Sequence, residues 1–191
     1  MSDRLYLSCW IRNFSESNML KHFEKLLDLF PFSRLAQRPM VLRVYAVEYA
    51  EPPVMEHTFE MGVTARDMVE AARDFMKSDC CMEIDAAWDL WQHDGEWALQ
   101  PASVTLICNG PDFERDDDDD LRIDFGLDAK FLPTPGLEGS LRMGQSNLRS
   151  LVHLVTDLER VLPMQRRQVW SESGASFAQL LAEAVSQFDV Q

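Results

Sequence analysis

The sequence predicts an α+β protein on two observations: the spacing of apolar residues changes between two and about 3.6, and glycine or proline separates the segments. From Arg4 to Trp91 the segments follow the order strand, helix, strand, strand, helix, strand. A hairpin and a further strand come next, and two helical segments end the chain. We therefore expect a mainly antiparallel sheet with the first two helices on one of its faces.

The first strand and the first helix are the clearest of these segments. Between Leu5 and Ile11 every second residue is apolar, which is the pattern of a strand with one buried face. The helix that follows carries an apolar stripe from Met19 to Phe30 and should end at Pro31. Ser15 is the expected N-cap of this helix.

The second and third strands should form an antiparallel pair that leads into the second helix. The second strand is predicted over Met40–Tyr49, and the shorter third strand covers residues 56–61. Thr64 and Asp67 have the spacing of a capping box, in which each residue accepts a hydrogen bond from the backbone of the other. They are therefore expected to mark the start of the second helix.

The fourth strand, Met82–Trp91, is followed by the strongest turn signal in the chain. Asp94 and Gly95 tolerate the positive φ that tight hairpin turns require. Beyond the turn, residues 97–100 and 103–108 are predicted as two more strands, and residues 121–125 as a last one.

The order of the first six segments resembles that of ferredoxin-like folds, and no family motif accompanies the resemblance. We expect one α+β domain over residues 1–191, with the sheet and two helices in 1–130. A proline- and glycine-rich connector should occupy 131–144, and a pair of helices should occupy 145–191. The apolar seam of the first of these helices suggests a homodimer.

Composition favours some functions and disfavours others. A hydrophobic content of 46% and a charged content of 26% are typical of a globular protein. The formal net charge of -14 argues against nucleic acid or an anionic membrane as a partner, and favours a basic protein. The sequence has no apolar run of membrane-spanning length, and a cytoplasmic location is the simplest expectation.

No cofactor or metal site is predicted. The chain lacks the glycine-rich phosphate-binding motifs, and its four cysteines lack the spacing of a zinc or redox motif. The five consecutive carboxylates of Asp116–Asp120 repel one another, so we expect an exposed, solvated loop there. Weak cation binding by this loop stays open, since contiguous Asp residues lack the ligand spacing of a calcium loop.

The face of the sheet opposite the first two helices is the candidate binding surface. It combines aromatic rings with charges of both signs, which are common in binding hot spots. Its predicted binding residues are Tyr6, Trp10, Arg12, Arg43, Tyr45, Glu83, Asp85 and Trp91. The C-terminal helices could instead cover this face, or its charges could simply pair with one another.

We therefore predict a non-enzymatic cytosolic module that recognises a protein partner through an acidic and aromatic surface. One alternative is a small enzyme in which the paired carboxylates of Glu83 and Asp85 act together with His57 or Arg12. Another is a domain whose Trp and Tyr rings hold a small molecule. No residue has a catalytic signature that decides between these readings.

Overall fold

The computed structural model describes residues 3–173 and 176–186. Their strands are β1 (Arg4–Ile11), β2 (Met40–Ala46), β3 (Met55–Phe59), β4 (Cys80–Asp94), β5 (Glu96–Asn109), β6 (Leu121–Leu127) and β7 (Met164–Ser171). Their α-helices are α1 (Met19–Leu29), α2 (Ala65–Ala72), α3 (Ser140–Val161) and α4 (Phe177–Ser186). A 3-10 turn covers Asp128–Lys130.

The strands form one open sheet in the order β3-β2-β4-β5-β6-β1-β7, and every neighbouring pair is antiparallel. The predicted α+β class is therefore confirmed. Along the chain, β1 to β4 and the two helices between them keep the predicted order. Within the sheet, β5 and β6 separate β4 from β1, so β1 pairs with β6 and β7.

One hydrophobic core lies between the sheet and its helices. Leu5, Leu42 and Ile84 are fully buried in this core together with residues of α1, α2 and α3. Phe177 at the start of α4 joins the same core. The prediction that the leucine-bearing side of the sheet faces the first two helices is confirmed, and α3 packs against α1 and β4 rather than over the other face.

The helix starts are partly as predicted. Thr64 and Asp67 form the expected capping box at α2. At α1, Ser15 is not the cap, because the helix begins only at Met19 and Asn18 occupies the cap position. The Asn18 side chain instead accepts a hydrogen bond from the Ser15 backbone, so the two residues form a turn before the helix.

The hairpin at Gly95 is confirmed, and its two strands are longer than predicted. Gly95 has φ +80°, and Asp94 pairs with Glu96 across it. β5 runs unbroken through Pro101, where a gap was predicted. Proline is tolerated there because β6 pairs only with Thr105–Cys108, so the other side of β5 has no strand to bond at Pro101.

The C-terminal region differs from the predicted pair of helices in two ways. α3 starts at Ser140, inside the predicted connector, and the Ser140 hydroxyl donates to the carbonyl of Thr134. Between α3 and α4 lies β7, an edge strand with a run of exposed polar residues at its centre and therefore no period-two apolar pattern. Phe188, assigned from sequence to the last helix, lies outside the described residues. Within them, no helix is both long enough and apolar enough to cross a membrane.

Candidate functional site

The face of the sheet that the helices leave uncovered is called the open face here. Residues paired across antiparallel strands point to the same side, so the register defines this face. One cross-strand row runs over six strands. It comprises Arg43, Glu83, Ile107, Arg122, Ser8 and Gln168.

The structure brings most of the predicted binding residues to this face. Those that the register and strand alternation place there are Tyr6, Trp10, Arg43, Tyr45, Glu83, Asp85 and Trp91. Trp91 lies at the far hairpin end of β4, where it pairs with Leu99. Arg12 lies in the turn after β1, so it is not part of the sheet face. The binding role of these residues stays a prediction.

The residues of the enzyme alternative are not brought together. His57 pairs with the buried Leu42, so it points to the helix side of the sheet, away from Glu83 and Asp85. Arg12 directly follows β1, which β5 and β6 separate from β4 in the sheet. The two carboxylates also have separate environments, because Asp85 binds Arg43 and Glu83 lies beside Tyr49.

Arg43 and its neighbours form an ion-pair network at the β3 side of the open face. Its guanidinium binds Glu56 at 2.8 Å and Asp85 at 2.5 Å, and Thr105 donates to the other oxygen of Asp85 at 3.0 Å. The two hydrogen-bonded carboxylates raise the pKa of Arg43. These charges are paired with one another, and pairs this exposed contribute little to stability.

Glu83 lies on the open face beside Tyr49 and Asp85. Burial raises its pKa, the hydrogen bond from Tyr49 opposes that shift, and the charge of Asp85 adds to it. The Tyr49 hydroxyl also lies 3.0 Å from Cys81 Sγ. The Tyr49 ring packs edge-on against Tyr45 and Phe113, so the loop after β2 is folded down onto this end of the open face.

The acidic run is not the uniformly solvated loop that the sequence predicts. Asp116, Asp117 and Asp118 are exposed, whereas Asp119 is fully buried. Arg122 binds both oxygens of Asp119, with Nε at 2.7 Å and Nη2 at 2.9 Å. Ser8 donates to the same carboxylate at 2.5 Å. These hydrogen bonds compensate for the burial of the Asp119 carboxylate, so repulsion between neighbouring carboxylates does not force Asp119 into solvent.

Aromatic rings extend this network across the β1 and β7 side of the open face. Tyr6 and Trp170 are stacked with their centroids 4.6 Å apart, and the Arg122 guanidinium lies 5.8 and 5.7 Å from the two rings. Trp10 donates to Asp118 at 2.9 Å, and Arg166 lies 4.1 Å from its ring. On this side of the face, the arginine side chains are therefore held in cation–π contacts with the aromatic rings.

A cleft of about 400 Å³ opens between the acidic run and the loop after β2. Its floor is the open face itself, and its walls are the two loops. The lining residues are Glu48, Tyr49, Ala50, Ile107, Asn109, Glu114, Arg115, Asp116, Asp117 and Arg122. The volume is in the range of small-ligand sites. This cleft is the candidate functional site.

The two walls of the cleft are held together by backbone contacts. The amide of Glu114 donates to the carbonyl of Val47 at 2.8 Å, and the amide of Val47 donates to the backbone carbonyl of Asp79 at 2.7 Å. Val47 has φ +68°, which a β-branched residue rarely adopts. Such strain is often found at binding sites, where the surrounding contacts impose it.

Replacing Val47 with glycine is expected to stabilise the protein. Val47 is 52% exposed, so little packing is lost, and glycine removes the steric cost of positive φ, about 1–2 kcal/mol. The greater freedom of glycine in the unfolded chain offsets part of this, leaving a gain of about 0.5–1 kcal/mol. Urea denaturation of V47G and of the wild type measures this gain in the free energy of unfolding. Val54→Gly, at a similarly exposed residue without positive φ, should instead be destabilising.

Several cleft residues were missed from the sequence. Arg122 lies between the buried Leu121 and Ile123, so the period-two pattern of β6 could have placed it on the open face. Glu114 and Arg115 lie in loops, where no periodicity indicates a direction. Tyr49 was predicted as the end of the second strand, but β2 ends at Ala46 and Tyr49 lies in the loop after it. The positions of these three loop residues depend on long-range contacts.

The fold and the cleft define an α+β protein with an open antiparallel sheet and a charged, uncovered face. Comparison with known proteins finds no matching family model, no similar curated protein and no similar solved structure. Among the described residues, no group of three or more His, Cys, Asp or Glu side chains could hold a metal ion.

Proposed function

We propose that the protein is a non-enzymatic binding module that recognises a basic segment of a protein partner at the cleft. The observation that carries the proposal is the row of carboxylates on the cleft walls. Glu48, Glu114 and Asp116 line the cleft, and no side-chain hydrogen bond or ion pair to another described residue engages them. Carboxylates without an internal partner remain able to bind an external cation.

The surroundings of these carboxylates suit protein recognition. Tyr49 lines the same cleft and is 44% exposed, so it offers a ring that a partner can desolvate. The formal net charge of -14 speeds the approach of a basic partner. A lysine or arginine side chain has both the charge and an apolar stem for such a cleft.

Neutralising the cleft walls is expected to weaken binding of a basic probe. The probe is a hexalysine peptide with an amidated C-terminus and a neutral dye at its N-terminus. The variant E48Q/E114Q/D116N should bind it about tenfold more weakly at physiological ionic strength, since each exposed charge pair is worth about 0.5 kcal/mol. Fluorescence anisotropy measures the Kd.

A second triple variant controls for the loss of net charge. D28N/E60Q/D74N removes the same three charges from exposed residues on or beside α1 and α2, away from the cleft. It should change the Kd by less than twofold. Equal weakening by both triple variants would mean that the peptide responds only to net charge, and the proposal would fail.

The cellular setting belongs to the same proposal. All four cysteines, Cys9, Cys80, Cys81 and Cys108, are free and buried, which suits a cytosolic protein with reduced thiols. The resemblance to ferredoxin-like folds is limited to the chain order of β1 to β4 and the two helices between them. The homodimer remains a prediction that light scattering in solution can test.

A further inference from the structure

Two dipeptides of this chain, Asp94-Gly95 and Asn109-Gly110, have the sequence that most readily closes a succinimide ring. The chain contains no other Asp-Gly or Asn-Gly pair. Ring closure needs the backbone nitrogen of the glycine to reach Cγ of the residue before it, and glycine allows this because it has no Cβ. In an unfolded chain the Asn-Gly pair reacts first, since an amide carbon is a better electrophile than the carbon of an ionised carboxylate.

The fold holds the reacting atoms of Asn109-Gly110 in place. Asn109 is only 2% exposed, and its Nδ2 donates to the backbone oxygen of Asp119 at 3.0 Å and to the Asp119 carboxylate at 3.1 Å. The amide of Gly110, which would have to attack, donates to the carbonyl of Cys80 at 2.7 Å. All three bonds must break before the ring can close. Reaction at this pair therefore requires local unfolding of the end of β5.

Asp94-Gly95 has none of these restraints. Asp94, Gly95 and Glu96 are all exposed at the tip of the hairpin between β4 and β5. Neither the Asp94 carboxylate nor the Gly95 amide makes a hydrogen bond with the described residues. A Cβ at Gly95 would meet no atom within 4 Å, so the backbone has room to rotate. The pairing of Asp94 with Glu96 has to yield, and the last pair of a ladder opens at little cost.

We propose that Asp94-Gly95 is a site of aspartate isomerisation in the folded protein, and that the fold protects Asn109-Gly110 from the same chemistry. This inference goes beyond the proposed function and does not depend on it. It reverses the order of reactivity that the two dipeptides have in an unfolded chain.

The reaction needs no reagent except water. The backbone nitrogen of Gly95 loses its proton and attacks Cγ of Asp94, so that a C–N bond forms, a Cγ–O bond breaks and one water molecule leaves. Water then opens the succinimide. Attack at Cγ restores aspartate, and attack at the α-carbonyl leaves the chain running through Cγ as isoaspartate. The water released in the first step equals the water consumed in the second, and no atom is oxidised or reduced.

Peptide mapping of aged protein tests the proposal. The full chain is kept for several weeks at neutral pH and physiological temperature, and is then cut by a protease that cleaves after glutamate. Residues 84–96 and 97–114 are released as separate peptides, one for each site. Mass spectrometry with electron-transfer fragmentation identifies isoaspartate at each position. Isoaspartate at Asp94 should accumulate at least about tenfold faster than deamidation at Asn109, because only the second reaction waits for local unfolding.

The same protein kept in denaturant is the control for the fold. There Asn109 should react before Asp94, and the denaturant is removed before digestion. Asp94→Glu is the control for the chemistry, since a side chain one methylene longer closes the ring far more slowly; the product at position 94 should disappear while the rate at Asn109 stays unchanged. Deamidation of Asn109 ahead of Asp94 in the folded protein would overturn the proposal, and so would the same order of reaction with and without denaturant.

Discussion

Asp119→Ala is expected to lower the free energy of unfolding by about 3–5 kcal/mol, which is typical when one partner of a buried ion pair is removed. Asp119 is fully buried, and the Arg122 side chain is only 18% exposed. Without the carboxylate, Arg122 would keep its exposed partner Asp117 and lose both bonds to the buried one. The remaining charge would be poorly compensated in a site that water enters only in part.

Two other donors to the Asp119 carboxylate add to the expected loss. Ser8 donates to its carboxylate at 2.5 Å, and Asn109 donates to it at 3.1 Å. Trp170 in turn donates to the Ser8 hydroxyl at 3.0 Å, so the network joins β7, β1 and β5 to the acidic run. Removing the common acceptor leaves several buried donors unsatisfied at once.

Chemical denaturation with tryptophan fluorescence measures this prediction. Asp116→Ala is the matched control, since it removes the same charge from an exposed residue of the same run and should change stability by less than about 0.5 kcal/mol. Asp119→Asn should fall between the two, because the amide keeps one acceptor oxygen. A loss below 1 kcal/mol for D119A would contradict the buried network.

Gly110→Ala is expected to cost about 3 kcal/mol or more, through a clash that the backbone cannot relieve locally. A Cβ at Gly110 would lie 2.3 Å from the carbonyl oxygen of Ser78 and 2.6 Å from that of Cys80. The amide of Gly110 also donates to Cys80 at 2.7 Å, so moving the chains apart would break that bond.

The same substitution at Gly144 provides the control. This glycine is buried in α3, and a Cβ there would lie 3.4 Å from the nearest atom, the backbone nitrogen of Pro133. Because alanine favours the helix by about 1 kcal/mol over glycine, G144A should be neutral or stabilising. Thermal unfolding of both variants tests the contrast; a G110A protein as stable as G144A would show that Gly110 is not closely packed.

Gly110 also affects the cleft, since its carbonyl accepts a hydrogen bond from Arg115. We therefore expect G110A to weaken peptide binding beyond its effect on stability, whereas G144A should bind as the wild type does. Binding is measured well below the melting temperature of each variant, so that unfolding does not contribute.

The sheet and its buried side were predictable because periodicity is a local signal. Leu5, Leu7 and Cys9 alternate with Tyr6 and Ser8, and this alone separates the two sides of β1. The first two helices and the Gly95 turn have comparable local signals. Edge strand β7 lacks one, because an exposed strand needs no apolar alternation, and its residues fell within the region predicted as a pair of helices.

The cleft was not predictable for a different reason. It depends on contacts between residues far apart in the chain, such as Val47 with Glu114 and Ser8 with Asp119. The simple repulsion argument for the acidic run treated its charges as isolated from the rest of the chain. It could not foresee that Arg122 and Asn109 would supply donors to one carboxylate and bury it.

The two edge strands, β3 and β7, also affect how copies of this chain associate. β3 has only five residues, and β7 carries the exposed arginines Arg166 and Arg167 along its length. Short or positively charged borders discourage one sheet from continuing into the next, which is a common protection against fibrillar aggregation. At high concentration, copies of this protein should therefore not polymerise by pairing the edge strand of one sheet with that of the next.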